Sequence, residues 1–265
     1  MNLIRLPLLL LAVYLTLLLL VYLGQERMIF FPVGSRHGQG RMPPGLTPYD
    51  LELKGQAYHG WLVNGEAAGD TLLIYFGGNA EDVFYTAVDF QRLTGVASLF
   101  IPYRGYNGNP GAPSQAALLT DALAIHDQAV ARLHPERTFA MGRSIGSAVA
   151  AYLAREREVA GLIMVTPFDS LTAVARDHYP WLPVSFFLRH PFAVTDFVAA
   201  LKDTPSLVIR GGSDRIIYPR RTDALLAQLP GPVTVVAIEG AGHNDIQDFP
   251  AYWPAITDFL PPDGS

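Results

Sequence analysis

The sequence GRSIG at residues 142–146 places a serine between two glycines in the pattern G-x-S-x-G. A short apolar run at 138–141 precedes it, and helical spacing begins at Ser144. A strand, tight turn and helix in this order expose a serine hydroxyl at the carboxyl edge of a sheet, where the positive helix N-terminus favours a developing anion. Gly142 and Gly146 leave room for the strained turn. We predict that Ser144 is a nucleophile, and the alternative is an ordinary helix-capping serine.

A serine hydroxyl is a poor nucleophile unless a base takes its proton, so a histidine is expected nearby. Of the seven histidines, His243 follows the last apolar run, at 233–238. It therefore falls in a loop at the carboxyl edge, where an open α/β sheet gathers its site residues. His178 and His190 are the competitors, and we predict His243 as the base.

The imidazole needs an acceptor that fixes its tautomer and stabilises the cation. Asp214 comes soon after the apolar run at 207–209 and before a proline-containing turn. Asp203 precedes that run and would lie at the wrong edge, and Asp245 is too near His243 in sequence to reach its far nitrogen. We predict Asp214 as the orienting carboxylate, and the alternative is a turn residue or helix cap.

An acyl-transfer site must also hold an oxyanion. Gly77 and Gly78 follow the apolar run at 71–76 and open into a helical pattern. Two glycines let the main chain approach closely, so we predict that the backbone N–H groups of Asn79 and Ile145 donate to the oxyanion. A generic tight turn is the alternative.

Short apolar runs without polar alternation are typical of strands buried on both faces of a parallel sheet. Stretches with helical spacing separate them, so the order predicts an α/β fold with helices on both faces of a mostly parallel sheet. Residues 49–53 and 57–63 flank a Lys54-Gly55 turn and predict an antiparallel lead-in. The apolar runs lie at 71–76, 96–101, 138–141, 162–165, 207–209 and 233–238, and the helical stretches at 81–93, 114–133, 144–155, 220–229 and 252–260.

One interval, at about 167–205, breaks the alternation. It is rich in aromatic side chains, and three prolines divide it into short helical pieces. Long insertions of this kind commonly cover a ligand cleft, so we interpret it as a short helical lid. The alternative is a helical excursion that packs its aromatics into the core.

The composition excludes several other classes of site. The chain has 265 residues, of which 16% are charged, a net charge of −5 and no cysteine. The low charged fraction argues against disorder, and the acidic balance would repel a nucleic-acid backbone. The lack of cysteine excludes disulfides, thiolate metal sites and a cysteine nucleophile. Because serine chemistry requires neither, we expect no metal and no organic cofactor, and no nucleic-acid partner.

The first segment predicts a membrane anchor. Residues 6–23 are an uncharged stretch that, as a helix, spans about 27 Å. A cleaved signal peptide or a buried helix is the alternative, but a small-x-small cleavage site is missing. Arg5 favours a cytoplasmic tail, although Arg27, Arg36 and Arg41 weaken the asymmetry. We expect a single-pass N-terminal anchor with the catalytic domain on the extracytoplasmic side.

These segments divide the chain into three parts. Residues 1–24 form the transmembrane anchor, residues 25–48 form a connector rich in glycine, proline and arginine, and residues 49–265 form one α/β domain. The length of the last part suits one large domain with ample core.

With these motifs together, the chain resembles the α/β-hydrolase superfamily and, within it, the BEM46-like group that includes the membrane-associated alpha/beta hydrolase domain-containing proteins 13 and 17. The resemblance covers roughly residues 25–259. The order Ser144, Asp214, His243 is the order expected of that fold. The matching motifs are MIFFP at 28–32, YFGGNA at 75–80, YRGY at 103–106, GRSIG at 142–146, TPFDS at 166–170 and GHND at 242–245.

The chain departs from this family at two positions. The family usually has a histidine where this chain has Gly77, and a glycine where this chain has Asn107. Neither change removes a catalytic group, but the first removes a side chain that often braces the oxyanion loop.

Taken together, the residues predict a membrane-anchored serine hydrolase of the esterase or thioesterase kind. Its partners would be the membrane and a hydrophobic acyl-ester or acyl-thioester substrate, and the resemblance implies acylated lipids or proteins. The alternatives are a serine peptidase or amidase of the same fold, and a hydrolase-fold protein that binds without catalysis.

Overall fold

The computed structural model describes residues 5–34 and 42–260. Within them lies an eight-stranded sheet with the strand order β1-β2-β4-β3-β5-β6-β7-β8. Strands β3 to β8 are mutually parallel, and β1 and β2 form an antiparallel lead-in that joins the sheet beside β4. The strands are β1 (Leu46–Leu53), β2 (Gln56–Val63), β3 (Thr71–Phe76), β4 (Ala97–Phe100), β5 (Arg137–Arg143), β6 (Gly161–Val165), β7 (Ser206–Gly211) and β8 (Val233–Ile238).

The hairpin that begins the sheet turns at Lys54 and Gly55. Both residues have left-handed backbone conformations, with φ of 52° and 75°. Two consecutive residues of this kind reverse the chain in the sense that matches strand twist, so β1 and β2 pair over their full length. The antiparallel lead-in predicted from the sequence is confirmed.

The helices cover both faces of the sheet. They are α1 (Arg5–Ile29), α2 (Val83–Asp89), α3 (Gln115–Leu133), α4 (Ile145–Glu156), α5 (Leu171–His178), α6 (Val184–Phe187), α7 (Val194–Val198), α8 (Pro219–Leu226) and α9 (Tyr252–Phe259). Side chains of α3 and α4 pack on one face, in a core with Leu72 and Ile74 of β3. Side chains of α2 and α9 pack on the other, with Leu73 and Tyr75. The predicted mostly parallel sheet between two helical layers is confirmed.

The central and outer strands differ in burial. All six residues of β3 are buried, as the sequence predicts for a strand covered on both faces. In β8 only Ile238 is buried, so the same prediction is wrong for this strand. The reason is position, because β8 is the outermost strand and only β7 lies beside it.

The first helix is longer than the predicted anchor. Within the described residues, α1 is the helix whose length and apolar character would allow it to cross a membrane. It continues without a break to Ile29, five residues into the predicted connector. Residues 35–41 of that connector, residues 1–4 of the anchor and the C-terminal residues 261–265 lie outside the described part.

The interval predicted as a lid contains three short helices, α5, α6 and α7. Proline and aromatic residues separate them, as the sequence indicates. An antiparallel bridge between Ser170 and Ala193 joins the two ends of the segment that holds α5 and α6.

Candidate active site

Ser144 sits in a strained turn between β5 and α4. Its φ is 53° and its ψ is −120°, a left-handed conformation that is costly for a residue with a side chain. The surrounding backbone holds it there, because its N–H donates to the carbonyl oxygen of Val165 at 2.9 Å and its own carbonyl accepts from Ser147 at 2.9 Å. The strain is thus maintained by hydrogen bonds to the neighbouring strand and to the first turn of α4.

Two glycines make this turn possible. A Cβ on Gly142 would lie 2.0 Å from the carbonyl oxygen of Gly146, and a Cβ on Gly146 would lie 2.0 Å from the carbonyl oxygen of Phe76. Real Cβ atoms do not approach backbone this closely. The turn, the start of α4 and the end of β3 therefore pack in direct backbone contact.

His243 and Asp214 meet at the carboxyl ends of β7 and β8. Nδ1 of His243 lies 2.7 Å from Oδ2 of Asp214. The other carboxylate oxygen of Asp214 accepts the N–H groups of Ile216 and Ile217, each at 2.8 Å. Because an ionised carboxylate only accepts, Nδ1 is the donor and Nε2 is left for another partner. Asp214 is 4% exposed, so the contact is shielded from water.

Arg143 joins the histidine loop to the serine turn. Its guanidinium donates to the carbonyl oxygen of His243 at 2.8 Å. No role was predicted for Arg143, whose only signal in the sequence is its place beside Ser144. Asp245 accepts the N–H of Gly242 at 2.7 Å, so its carboxylate bonds within the histidine loop.

The two competing histidines occupy other environments. Nε2 of His178 lies 2.8 Å from the carbonyl oxygen of Ile216, and its ring stacks on Tyr218 at 5.2 Å. Nδ1 of His190 accepts the N–H of Gln115 at 3.3 Å, beside the end of α1. Burial lowers the pKa of His190, against the opposing effect of Glu26. His243 is the one of the three whose ring nitrogen contacts a buried carboxylate.

The loop after β3 is braced by Glu81. Its carboxylate accepts the N–H of Gly78 at 2.6 Å, the hydroxyl of Tyr75 at 2.9 Å and the hydroxyl of Thr86 at 2.5 Å. Burial first, and then the charge of Glu81, raise the pKa of Tyr75 well above its usual value, so its hydroxyl remains a donor. This chain thus braces the loop from within, although Gly77 carries no side chain. Glu81 was not predicted as a site residue, and its only signal in the sequence is a carboxylate three residues after Gly78.

Space explains the glycine at position 77. A Cβ there would meet Cγ1 of Val83 at 2.5 Å, and the carbonyl oxygen of Gly77 accepts the hydroxyl of Tyr103 at 3.0 Å. Burial, and after it Glu81, raise the pKa of Tyr103 well above its usual value. A histidine at position 77 would not fit against Val83 in this loop.

The side chain of Asn79 is fully engaged. Its Oδ1 accepts the N–H of Phe31 and the hydroxyl of Tyr106, each at 2.9 Å, and its Nδ2 donates to the carbonyl oxygen of Ile29 at 2.7 Å. Burial raises the pKa of Tyr106 to about 12. These contacts fasten the end of α1 to the loop that follows β3.

The main-chain amides of Asn79 and Ile145 have no backbone acceptor in the described part of the chain. Ile145 is the first residue of α4, whose N–H has no partner within its own helix. No backbone acceptor in residues 5–34 and 42–260 bonds to the N–H of Asn79. Both residues border the same cavity as Ser144 and His243. The arrangement offers two backbone donors beside a hydroxyl and an imidazole.

The cavity has a volume of about 450 Å³ and is mostly apolar. Ser144, Ile145, Asn79 and His243 are among the residues that line it. Much of the rest of its wall comes from the lid and from α1. These wall residues include Val21, Gln25, Met28 and Ile29 from α1 and Leu182 and Phe187 from the lid. Among the described residues, no cluster of histidine and acidic side chains could hold a metal ion.

Curated proteins with similar sequences support the fold. An uncharacterized protein of Mycobacterium tuberculosis, Rv2307c, is 33% identical over 235 residues, which cover 86% of this chain and 83% of that protein. The alpha/beta hydrolase domain-containing protein WAV2 of Arabidopsis thaliana is 27% identical over 275 residues, covering 89% and 87%. The human alpha/beta hydrolase domain-containing protein 17B is 28% identical over 195 residues, covering 71% and 65%. No protein-family model matches the chain.

Solved structures share the architecture at low sequence identity. The Pyrococcus furiosus esterase Pf2001 has a TM-score of 0.68 at 18% identity, over 87% of this chain and 97% of that one. An alpha-beta hydrolase from Vibrio vulnificus has a TM-score of 0.67 at 21% identity, over 82% of both chains. These structures support the fold and leave the substrate open.

Proposed function

Because this chain belongs to the α/β-hydrolase superfamily, we propose that it is a membrane-anchored serine hydrolase that cleaves carboxylic ester or thioester bonds through an acyl-enzyme on Ser144. One observation carries the proposal: Ser144 and His243 border one apolar cavity, and His243 is hydrogen-bonded to the buried Asp214. A nucleophile, a base and an orienting carboxylate are the groups that acyl transfer requires.

The first half-reaction forms the acyl-enzyme. Oγ of Ser144 bonds to the substrate carbonyl carbon while its proton passes to Nε2 of His243. Asp214 keeps the imidazole in the tautomer that can accept this proton and stabilises the resulting cation. When the tetrahedral species collapses, the C–O or C–S bond breaks, and His243 returns the proton to the departing alcohol or thiol.

The oxyanion of the tetrahedral species needs donors that are already in place. In this proposal the amide N–H groups of Asn79 and Ile145 supply them. Gly77 and Gly78 allow the close approach of the loop, while Gly142 and Gly146 allow the turn at Ser144. Water then attacks the acyl-enzyme with His243 as the base, and the acid product leaves. No metal or organic cofactor takes part in these steps.

The apolar lining of the cavity favours an ester or thioester substrate over a peptide. Aliphatic and aromatic side chains of α1 and of the lid form its long walls, and these suit a hydrocarbon chain. A solved structure of the same fold is named an esterase. The same three side chains could hydrolyse amides, so amide turnover belongs in the test.

The membrane part of the proposal rests on α1. It is long and apolar enough to span a bilayer, and its last turns contact the lid and the loop that holds Asn79. A helix that forms part of the cavity is expected to stay attached, so we propose an uncleaved single-pass anchor with the catalytic domain on the extracytoplasmic side. The intact mass of the protein from membranes should include α1. Protection of the domain from protease in sealed right-side-out vesicles would contradict the proposed orientation.

A fluorophosphonate probe tests the catalytic proposal. The full chain in detergent micelles should form a covalent adduct on Ser144 and hydrolyse p-nitrophenyl butyrate, and Ser144→Ala should do neither. Ser147→Ala is the matched control, because this serine lies in the first turn of α4 and its hydroxyl donates to the carbonyl oxygen of Ser144. A folded wild-type chain that does not label would instead support a binding protein without catalysis.

The bond type is tested by comparing three substrates with one acyl group. Turnover of the oxygen ester and the thioester should exceed turnover of the matching anilide by orders of magnitude. A preference for the anilide or for peptides would replace the esterase proposal with the amidase alternative.

A further inference from the structure

We propose that the substrate resides in the membrane and that its acyl chain enters the cavity sideways from the bilayer, between α1 and a membrane-embedded part of the lid. This part, called the lid tip, consists of residues 179–188. The proposal rests on the proposed function, since it names the substrate class and the route for the same site.

The lid tip has the composition of a membrane-inserted segment. No Asp, Glu, Lys or Arg lies between His178 and Arg189. Three of its aromatic side chains are exposed, with Phe186 92% exposed, Trp181 50% and Tyr179 43%. Exposed apolar surface of this kind marks contact with a partner or a membrane. Because the lid tip lies against α1, which has its own apolar surface exposed, the two form one continuous apolar surface.

The depth of the lid tip follows from its contacts with α1. The hydroxyl of Tyr14 donates to the carbonyl oxygen of Trp181 at 2.9 Å. Tyr14 lies eight residues before Tyr22, which is about 12 Å along the helix axis. Charged side chains lie close to Tyr22. The guanidinium of Arg189 pairs with the carboxylate of Glu26 at 3.0 Å and stacks over the Tyr22 ring at 4.8 Å. Tyrosine and arginine are typical of the interface between lipid and water. If α1 spans the bilayer, Trp181 therefore lies about 12 Å deeper, among the acyl chains.

The cavity follows α1 from the catalytic centre towards the same region. Val21, Gln25, Met28 and Ile29 line it over two turns of helix, a length of about 12 Å. At one end the carbonyl oxygen of Ile29 accepts from Asn79, beside Ser144. At the other end Val21 lies one position before Tyr22, at the level of the interface. An acyl chain that leaves the bilayer beside α1 thus reaches Ser144 along an apolar wall.

Gln25 holds this wall in place. It is buried, its amide donates to the carbonyl oxygens of Tyr22 and Phe187, and its Oε1 accepts the N–H of Arg189 at 2.7 Å. A polar side chain with its groups satisfied inside an apolar surface fixes the position of α1 against the lid. The two walls therefore stay in register while the exposed side chains of the lid tip face outwards.

Tryptophan quenching tests the depth of the lid tip. The full chain is reconstituted in phosphatidylcholine vesicles with and without lipids brominated in the middle of the acyl chain. Quenching should occur in the wild type and fall sharply in Trp181→Phe, since Trp61 is buried in the domain. Trp253→Phe is the matched control and should keep the quenching. Equal quenching in Trp181→Phe and the wild type would overturn the insertion. A lack of quenching in the wild type would also overturn the insertion. A lid tip covered by a second copy of the chain, and not by lipid, would give this lack of quenching.

Chain-length selectivity tests the route along α1. Val21→Trp should lower the ratio of kcat/KM for p-nitrophenyl palmitate to kcat/KM for p-nitrophenyl butyrate by about tenfold. The indole narrows the cavity beside α1, which hinders the long acyl chain more than the short one. Leu23→Trp is the matched control, since Leu23 is exposed and lies outside the cavity. An equal ratio in the two variants would overturn the route. Failure of the proposed function is a separate result, because the wild type would then form no fluorophosphonate adduct.

Discussion

The Ser144 turn and the lid tip border one cavity, but they are held in opposite ways. Around Ser144, backbone packs directly on backbone, and adding one carbon at Gly146 would bring it 2.0 Å from another chain segment. The lid tip, with its one short helix α6, is attached to α1 by a few long-range hydrogen bonds of Tyr14, Gln25 and Arg189. In the proposed function, the sheet thus carries the catalytic residues, and the segment at its periphery delivers the substrate.

This difference indicates which substitutions each region should tolerate. A strained turn persists only where the surrounding structure fixes it, so almost any substitution in the Ser144 turn should reduce activity. The lid tip exposes Tyr179, Trp181 and Phe186, so substitutions of these residues should alter substrate preference while the fold survives. The following predictions test this contrast, from the largest effect to the smallest.

Among the variants that keep Ser144, Asp214→Asn should have the largest effect on turnover. The amide presents a donor to Nδ1 and disfavours the tautomer that accepts the serine proton, so kcat should fall by about 10⁴-fold. Steady-state hydrolysis of p-nitrophenyl butyrate measures it. Asp245→Asn is the control, because its carboxylate bonds to the N–H of Gly242. Equal losses in the two variants would show that Asp214 acts only through the loop structure.

Gly146→Ala should have the largest effect on stability. Its Cβ would collide with the carbonyl oxygen of Phe76, so either β3 or α4 must move, at a cost of about 3 kcal/mol. Denaturant unfolding in micelles measures the loss. Gly69→Ala is the matched control, since nothing lies within 4 Å of its added carbon. Similar stability of the two variants would mean that the contact at Gly146 relaxes easily.

Glu81→Gln should lower kcat by about 10–100-fold, with a smaller change in KM. The neutral amide holds the N–H of Gly78 more weakly, so the loop that carries Asn79 shifts, and misplacement by about 1 Å can cost this much. Glu66→Gln, on an exposed turn, is the control. A rise in KM at constant kcat would instead assign Glu81 to substrate binding.

Phe186→Asp should affect only the entry of membrane-embedded substrate into the cavity. A carboxylate at the lid tip resists burial in lipid, so turnover of an ester embedded in vesicles should fall by about tenfold relative to turnover of a dissolved short ester. Tyr85→Asp changes another exposed aromatic residue, on α2, and serves as the control. If both variants reduce the two activities in parallel, the lid tip does not distinguish membrane substrate from soluble substrate.

Replacing His190 should give the smallest effect, a change in how the stability of the protein depends on pH. His190 lies beside the end of α1. Burial lowers its pKa below the ordinary value of 6.5, so the unfolded chain binds a proton more readily there. Stability should therefore decrease as the pH falls below about 6.5. His190→Gln should flatten this part of the pH profile of unfolding. Glu26 opposes the shift, and an unchanged profile in the variant would assign the slope to other groups.

Much of the scaffold was predictable because its signals are local. Continuous apolar runs predicted the buried strands, and glycines predicted the hairpin at Lys54 and the turn at Ser144. The ends of elements moved by a few residues, as in β5, which continues to Arg143. Burial of β8 was overestimated because an apolar run does not reveal whether its strand lies at the edge of the sheet.

The contacts that complete the site were not predictable in the same way. Gln25 meets Phe187, 162 positions away in sequence, and Arg143 meets His243, 100 positions away. Such pairs depend on the order of strands in the sheet and on where α1 packs, neither of which leaves a periodic pattern. Glu81 lay close to the loop in sequence, but its three donors come from β3, the loop and α2.

The sequence by itself indicated the chemistry that we propose, and it determined the edge of the sheet at which Ser144, Asp214 and His243 lie. A serine between glycines after a strand, with an aspartate and a histidine after later strands, permits few other arrangements, because parallel strands end on one side. Tertiary structure decided how the cavity is walled. The apolar stretch at the start of the chain indicates only affinity for lipid, and three-dimensional packing alone places Val21 and Ile29 along the cavity that Ser144 borders. Affinity for lipid is a property of composition, whereas adjacency is a property of the folded chain.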